Sequence, residues 1–211
     1  MIFGAAFTDQ PDLAGLSVAA HRVLATSAAL FFECGAANTS VRDLTRACGL
    51  SPGALYNHFP SRDELLFTIV RHGHDRMQRR IDAALAQAAG GTEAQFRAYV
   101  GAYVTGHVDQ PELAQLVRHE YLHLSPAHYA DIVARRRAIR RTLTGFIAAG
   151  AATGHFDLIG NAVGQTLMVL DMCSRTSDWF DRSRDTDPSE IVARYIQASL
   201  RLVGAGNQPP G

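Results

Sequence analysis

The sequence predicts an all-α protein, and three features of its 211 residues carry that prediction. Long windows repeat apolar or aromatic residues at helical spacing, as do Phe96, Tyr99, Val100, Tyr103 and His107 at i, i+3, i+4, i+7 and i+11. No run alternates apolar and polar side chains as a half-buried strand would, and no internal repeat is present. Glycine, proline and serine fall where helices would begin or end, at Gly35, Gly49, Ser51-Pro52, Gly90-Gly91, Pro111, Ser125-Pro126, Gly154 and Pro188. These signals delimit nine helices: 17–34, 41–48, a short one from 52, 62–89, 92–109, 111–124, 125–153, 158–180 and 188–203.

Composition narrows the class. The chain is 47% hydrophobic, long enough for a buried core, and has no apolar run that would span a bilayer. Its first residues, MIFGAAFTDQPDLAG, lack the basic start and sustained apolar core of a signal peptide and read as a frayed tail. Cys34, Cys48 and Cys173 are odd in number and widely spaced, which argues against a disulfide scaffold or zinc site and for a reducing cytoplasm. Net charge is zero, yet between Ser17 and Arg62 four arginines face only Glu33 and Asp43. All twenty basic residues are arginine, whose planar fork suits phosphate.

The segment TSVRDLTRACGLSPGALYNHFPSRDELL, 39–66, is the most informative. Ser40 can cap the helix from Val41, since its hydroxyl can accept from a first-turn amide. Gly49 supplies the positive φ that ends it. Ser51 caps again, and Pro52 fits a first turn, where no amide hydrogen is needed. Leu44, Leu50, Leu55 and Phe59 can meet beneath the two short helices, leaving Arg42, Pro52, Gly53, Ala54, Tyr56, Asn57 and His58 outside. A second helix with small and hydrogen-bonding residues on its outer face can enter a major groove.

Those residues are similar to the DNA-binding domain of TetR-family transcriptional repressors, over roughly 22–68. The matching runs are Ser40-Val41-Arg42-Asp43-Leu44, Cys48-Gly49-Leu50-Ser51, Gly53-Ala54-Leu55-Tyr56-Asn57-His58-Phe59 and Ser61-Arg62-Asp63-Glu64-Leu65. Thr45 and Cys48 stand where the family prefers alanine. The resemblance implies a three-helix helix-turn-helix domain over 17–66 and a six-helix ligand-binding and dimerisation domain over 67–204, with tails at 1–16 and 205–211. It implies a homodimer on a near-palindromic operator, a small-molecule effector, no cofactor and no enzymatic activity. On DNA, Tyr56 and His58 would meet phosphates, Ser40 and Arg62 would anchor helix ends, Arg42, Pro52, Gly53, Ala54 and Asn57 would lie nearest the bases, and Ser51 is a further DNA-binding candidate.

Other constellations carry two readings each. His119-Glu120-Tyr121-Leu122-His123 spells HExxH, which on one helix would place two imidazoles to share a zinc with the glutamate as base. With nine histidines in the chain and no further ligand motif, a polar helix face is the better reading and a zinc hydrolase the alternative. Phe96, Tyr99, Tyr103, His107, His119, Phe146, Met168 and Met172 read as core or as the wall of an effector cavity. Arg136 sits in the apolar row Ile132, Ile139, Leu143, Phe146 and Ile147, to be paired with Glu120 or with an anionic effector; Arg175 and Arg182 are further candidates. Val163, Leu167 and Leu170 on one helix and Ile191, Tyr195, Ala198 and Leu202 on the last suit a four-helix dimer interface. The late segments, including DMCSRTSDWFDRSRDTDPSEIVARYI with its tryptophan, arginine-bearing loop and Pro-Ser-Glu helix start, also resemble, distantly, regulators of lipid or steroid catabolism that sense acyl-CoA thioesters. A drug-responsive efflux regulator is the alternative.

Overall fold

The computed structural model describes residues 3–8, 10–181 and 187–206 and is all-α over them. The α-helices are α1 (Gly4–Phe7), α2 (Val18–Cys34), α3 (Val41–Cys48), α4 (Pro52–Tyr56), α5 (Arg62–Gln87), α6 (Thr92–Asp109), α7 (Pro111–Glu120), α8 (Pro126–Ala152), α9 (Ala162–Ser174), α10 (Thr176–Trp179) and α11 (Pro188–Leu202). No helix among the described residues is long and apolar enough to cross a membrane.

Two compact units emerge. One is Met1–Arg76 with Glu112–Ala134, the other Met77–Pro111 with Arg135–Gly211. The first therefore extends past residue 66 and takes in α7 and the start of α8. Its core gathers Phe7, Leu24, Phe31, Leu44, Leu65, Leu66, Ile69 and Leu116, all nearly inaccessible to water. The reason α7 joins it is visible at one crossing: a Cβ placed on Gly73 of α5 would lie 2.4 Å from Val117 Cγ2.

That crossing reverses an ordinary rule. Alanine normally stabilises a helix interior over glycine by about 1 kcal/mol. At Gly73 the added methyl must displace a buried, β-branched Val117, so Gly73→Ala is expected to cost about 1–3 kcal/mol instead. A denaturant midpoint above that of the wild type would show that α7 yields to the extra carbon.

The N-terminus departs from the expected tail. Phe3, Ala6, Phe7 and Leu13 are buried in the first core, and both ring nitrogens of His72 face the segment. Nδ1 lies 2.7 Å from Asp12 Oδ2 and Nε2 lies 2.9 Å from the Ala6 carbonyl oxygen. Burial pulls the His72 pKa below its usual value, against the upward pull of Asp12 and Ala6. At the other end, residues 207–211 of the expected tail lie outside the described residues, while Val203 and Gly204 are buried.

In the second unit, α6 packs against α9, α10 and α11. Phe96 and Tyr99 are fully buried. Tyr99 donates its hydroxyl hydrogen to the Ile139 carbonyl at 2.8 Å, and Phe96 meets Phe156 edge-on at 5.4 Å. The helix expected over 158–180 begins only at Ala162, because Asn161 accepts from the Gly164 amide as its cap and Gly160 turns the preceding chain at φ 91°. It is interrupted at Arg175, and the last turn is the separate α10.

Candidate nucleic-acid interface

The helix-turn-helix is assembled by short-range hydrogen bonds. At the start of α3 the Asp43 amide donates to Ser40 Oγ at 3.2 Å, while the Ser40 amide donates to Asp43 Oδ2 at 3.0 Å, a reciprocal capping box. The Ser40 hydroxyl and amide hold the Asp43 carboxyl below the usual carboxylate range. The helix closes in a Schellman pattern. Gly49 lies in the left-handed region at φ 66°, its amide donates to Arg46, and the Leu50 amide donates to Thr45 at 2.9 Å. Ser51 then caps α4 by accepting from the Ala54 amide at 3.2 Å. Leu44, Leu55 and Phe59 are buried below, and Leu50 packs against them.

What remains outside is a small polar face. Ser40, Arg42, Ser51, Pro52, Gly53, Tyr56 and Asn57 are exposed, with Ala54 and His58 half-buried. Tyr56 keeps 46% of its surface in solvent. The small Gly53 and Ala54 on this short helix allow close backbone approach, and Tyr56, Asn57 and His58 supply donors. Ser40 and Ser51 spend their side chains on caps, so they shape the face more than they reach from it.

Arg62 faces inward. Its Nε donates to the Thr39 carbonyl at 2.7 Å, its Nη2 donates to the Ala36 carbonyl, and its guanidinium lies over the Phe31 ring at 5.6 Å. It anchors the turn Ala36–Asn38 that leads into α3 rather than extending toward a ligand. Three partners of this arrangement had no local signal in the sequence. Glu120 accepts from the Ala36 amide at 2.7 Å. Asp63 accepts from the Ser125 amide at 2.8 Å and lies 2.5 Å from His128 Nδ1, while His128 stacks on Phe67 at 4.0 Å. Burial would raise the Asp63 pKa, and these bonds outweigh it and hold the carboxyl low.

The residues read as HExxH do not share one regular helix. His119 and Glu120 end α7, whereas His123 lies in the following 3-10 turn, 4.0 Å from Glu120. Glu120 is engaged with the backbone, and no group of three or more metal-ligating side chains occurs among the described residues.

The second unit distributes the effector candidates unevenly. Phe96, Tyr99 and His107 are buried, the last with Nδ1 2.8 Å from the Tyr103 carbonyl oxygen; Tyr103, Phe146 and Met172 pack at the margin of the core. Met168 is 54% exposed, His119 is on the surface of the first unit, and Arg136 points outward instead of into the apolar row. Arg175 is exposed and paired with Asp178 at 3.2 Å. Arg182 lies outside the described residues. Of the dimer candidates, Val163, Leu167 and Ala198 are exposed and Leu170, Tyr195 and Leu202 partly so, whereas Ile191 is buried in the second core.

Known proteins carry the same elements in the same order. Residues 23–69 match the family described as bacterial regulatory proteins, tetR family, and residues 89–203 match the tetracyclin repressor-like C-terminal domain. The chain belongs to the TetR family. This is a family of transcriptional regulators, not enzymes. A solved TetR-family regulator from Rhodococcus RHA1 is 32% identical, with 90% of this chain and 99% of that one aligned at a TM-score of 0.82. The repressor KstR2 of Rhodococcus jostii is 38% identical over 60 residues, which cover 28% of this chain and 29% of that one. This chain spans between 17% and 29% of the curated relatives it matches. AibR, solved with isovaleryl coenzyme A and operator DNA, aligns over 89% of this chain and 99% of its own at a TM-score of 0.76; at 18% identity it shares the fold.

Proposed function

We propose that this TetR-family regulator is a cytoplasmic repressor that binds a near-palindromic operator as a homodimer and leaves it when a small molecule binds. The observation that carries the reading is the outer face of α4. On a doubly capped pair of short helices, Tyr56 and Asn57 stand in solvent where a core residue would be buried. Two copies of that face are needed, because a chain of zero net charge gains little from non-specific attraction to phosphate. The exposed apolar residues Val163 and Leu167 of α9 supply the second element, a face suited to pairing of subunits.

The effector we assign is a mainly apolar molecule with an anionic head, of the acyl-CoA type. AibR was solved with a ligand of that kind, and in this chain the outward Arg136 and Arg175 provide charge for such a head. An effector that prefers the DNA-incompetent state releases the operator by shifting the population.

A DNA fragment selected from a random pool against the purified protein tests both parts. Tyr56→Ala with Asn57→Ala is expected to weaken binding to it by about 10- to 100-fold, at roughly 1–3 kcal/mol for lost contacts of this kind, with the fold unchanged. Unchanged affinity would remove α4 from the interface. Acyl-CoA thioesters, free acids and cationic drugs are then titrated against the complex. Release by thioesters or acids is expected, and release by drugs alone would transfer the protein to the efflux-regulator class.

A further inference from the structure

We infer that Glu120 is a positioning residue for operator binding: its carboxylate ties the C-terminal end of α7 to the turn that leads into the helix-turn-helix. The inference rests on the operator-binding reading above. It gives a role to a residue of the HExxH run that a metal site does not explain.

The geometry is closed on both sides. Ala36 is completely buried, so both polar groups of its backbone require partners from within the protein. Its amide donates to Glu120 Oε2 at 2.7 Å and its carbonyl accepts from Arg62. A carboxylate and a guanidinium thus hold one residue from opposite sides, each hydrogen bond polarising the next. Arg62 also holds the Thr39 carbonyl at 2.7 Å, immediately before the Ser40 cap. The position of α3, and through Gly49 that of α4, is therefore set at the turn 36–39.

Glu120 itself is fixed. Its side chain is only 15% exposed, and it is the last residue of α7, where the chain tightens into the 3-10 turn Tyr121–His123. Beyond that turn the chain is held again by Asp63 on the Ser125 amide and by the Tyr121–Tyr129 stack at 5.8 Å. The end of α7 is a rigid post, and the bond to Ala36 spans 84 residues of sequence. Its carboxylate is engaged by the Ala36 amide at 2.7 Å and lies 4.0 Å from His123, so its effect is on placement.

The test uses the full-length protein, the DNA selected from a random pool, and hydrogen–deuterium exchange over residues 35–48. In Glu120→Ala the Ala36 amide loses its acceptor. Exchange there is expected to rise and operator affinity to fall about tenfold or more, as for loss of a charge-assisted hydrogen bond. The slope of affinity against salt should stay the same, because no phosphate contact is removed. Glu120→Gln keeps an oxygen acceptor at the same reach and is expected to recover most of the affinity. Should Glu120→Ala fail to fold, Glu120→Asp, one methylene shorter, replaces it with the same expectations. The inference is overturned if exchange at Ala36 is unchanged, if Glu120→Gln binds as weakly as the alanine variant, or if affinity is unaffected. A wild type that selects no DNA would defeat the operator reading, and the exchange measurement would still decide the tie.

Discussion

Val163→Glu combined with Leu167→Glu is expected to convert the protein from dimer to monomer and to reduce operator affinity by about 100-fold or more. Both side chains are exposed in the protomer, at 54% and 46%, so the glutamates meet water and the fold is retained. In the proposed dimer the same positions face their symmetry mates, since a two-fold interface presents one patch to its copy. Four carboxyl groups would then be buried together without partners, at about several kcal/mol for each one that stays charged, which opposes pairing. Losing the pairing converts two linked half-site contacts into independent ones, and such linkage contributes roughly 100- to 10,000-fold. Sedimentation at micromolar concentration and a binding titration read the two effects separately. A variant that remains dimeric places the interface elsewhere. A wild type that is already monomeric removes the two-half-site argument with it.

The sequence was informative where structure is local. Ser40, Gly49 and Ser51 act on amides and carbonyls within four residues, so the helix-turn-helix and its core of Leu44, Leu55 and Phe59 could be derived from spacing. The all-α class followed from periodicity over long windows. Arg136 shows where this breaks down. By helical phase it belongs to the row of Ile132 and Ile139, yet Ile132 contributes to the first core and Ile139 to the second, and the residue between them is left exposed. Periodicity assumes that one helix faces one core, and α8 serves two. The N-terminal segment had the signal Phe3, Ala6, Phe7 at helical spacing, but its anchor, His72, is sixty residues from Asp12. Glu120 belongs to a motif by sequence, but the contact it makes, with the Ala36 amide 84 residues away, lies in no window of sequence.

Arg62 provides the last separation of roles, because an arginine beside a DNA-binding face could grip phosphate or hold the fold. If it gripped phosphate, Arg62→Ala would weaken DNA binding and leave stability alone. In the structure it holds the carbonyls of Ala36 and Thr39, both buried, and stands over Phe31. Removing it leaves the buried Thr39 carbonyl without a donor, at about 1–3 kcal/mol for an unsatisfied group, while the Ala36 carbonyl keeps only the Thr39 amide at 3.2 Å. Lost packing of the guanidinium on the aromatic face adds about 0.5–1 kcal/mol. Arg62→Ala is therefore expected to lower stability by roughly 2–4 kcal/mol on these figures and to lower operator affinity as a consequence. Arg62→Lys should recover only part, since an ammonium is a point charge and cannot present a planar fork to two carbonyls. Thermal or denaturant unfolding, followed without DNA, gives the decision. A full-strength fold with impaired operator binding would return Arg62 to the DNA surface, and loss of both together keeps it as the clamp on the turn before α3.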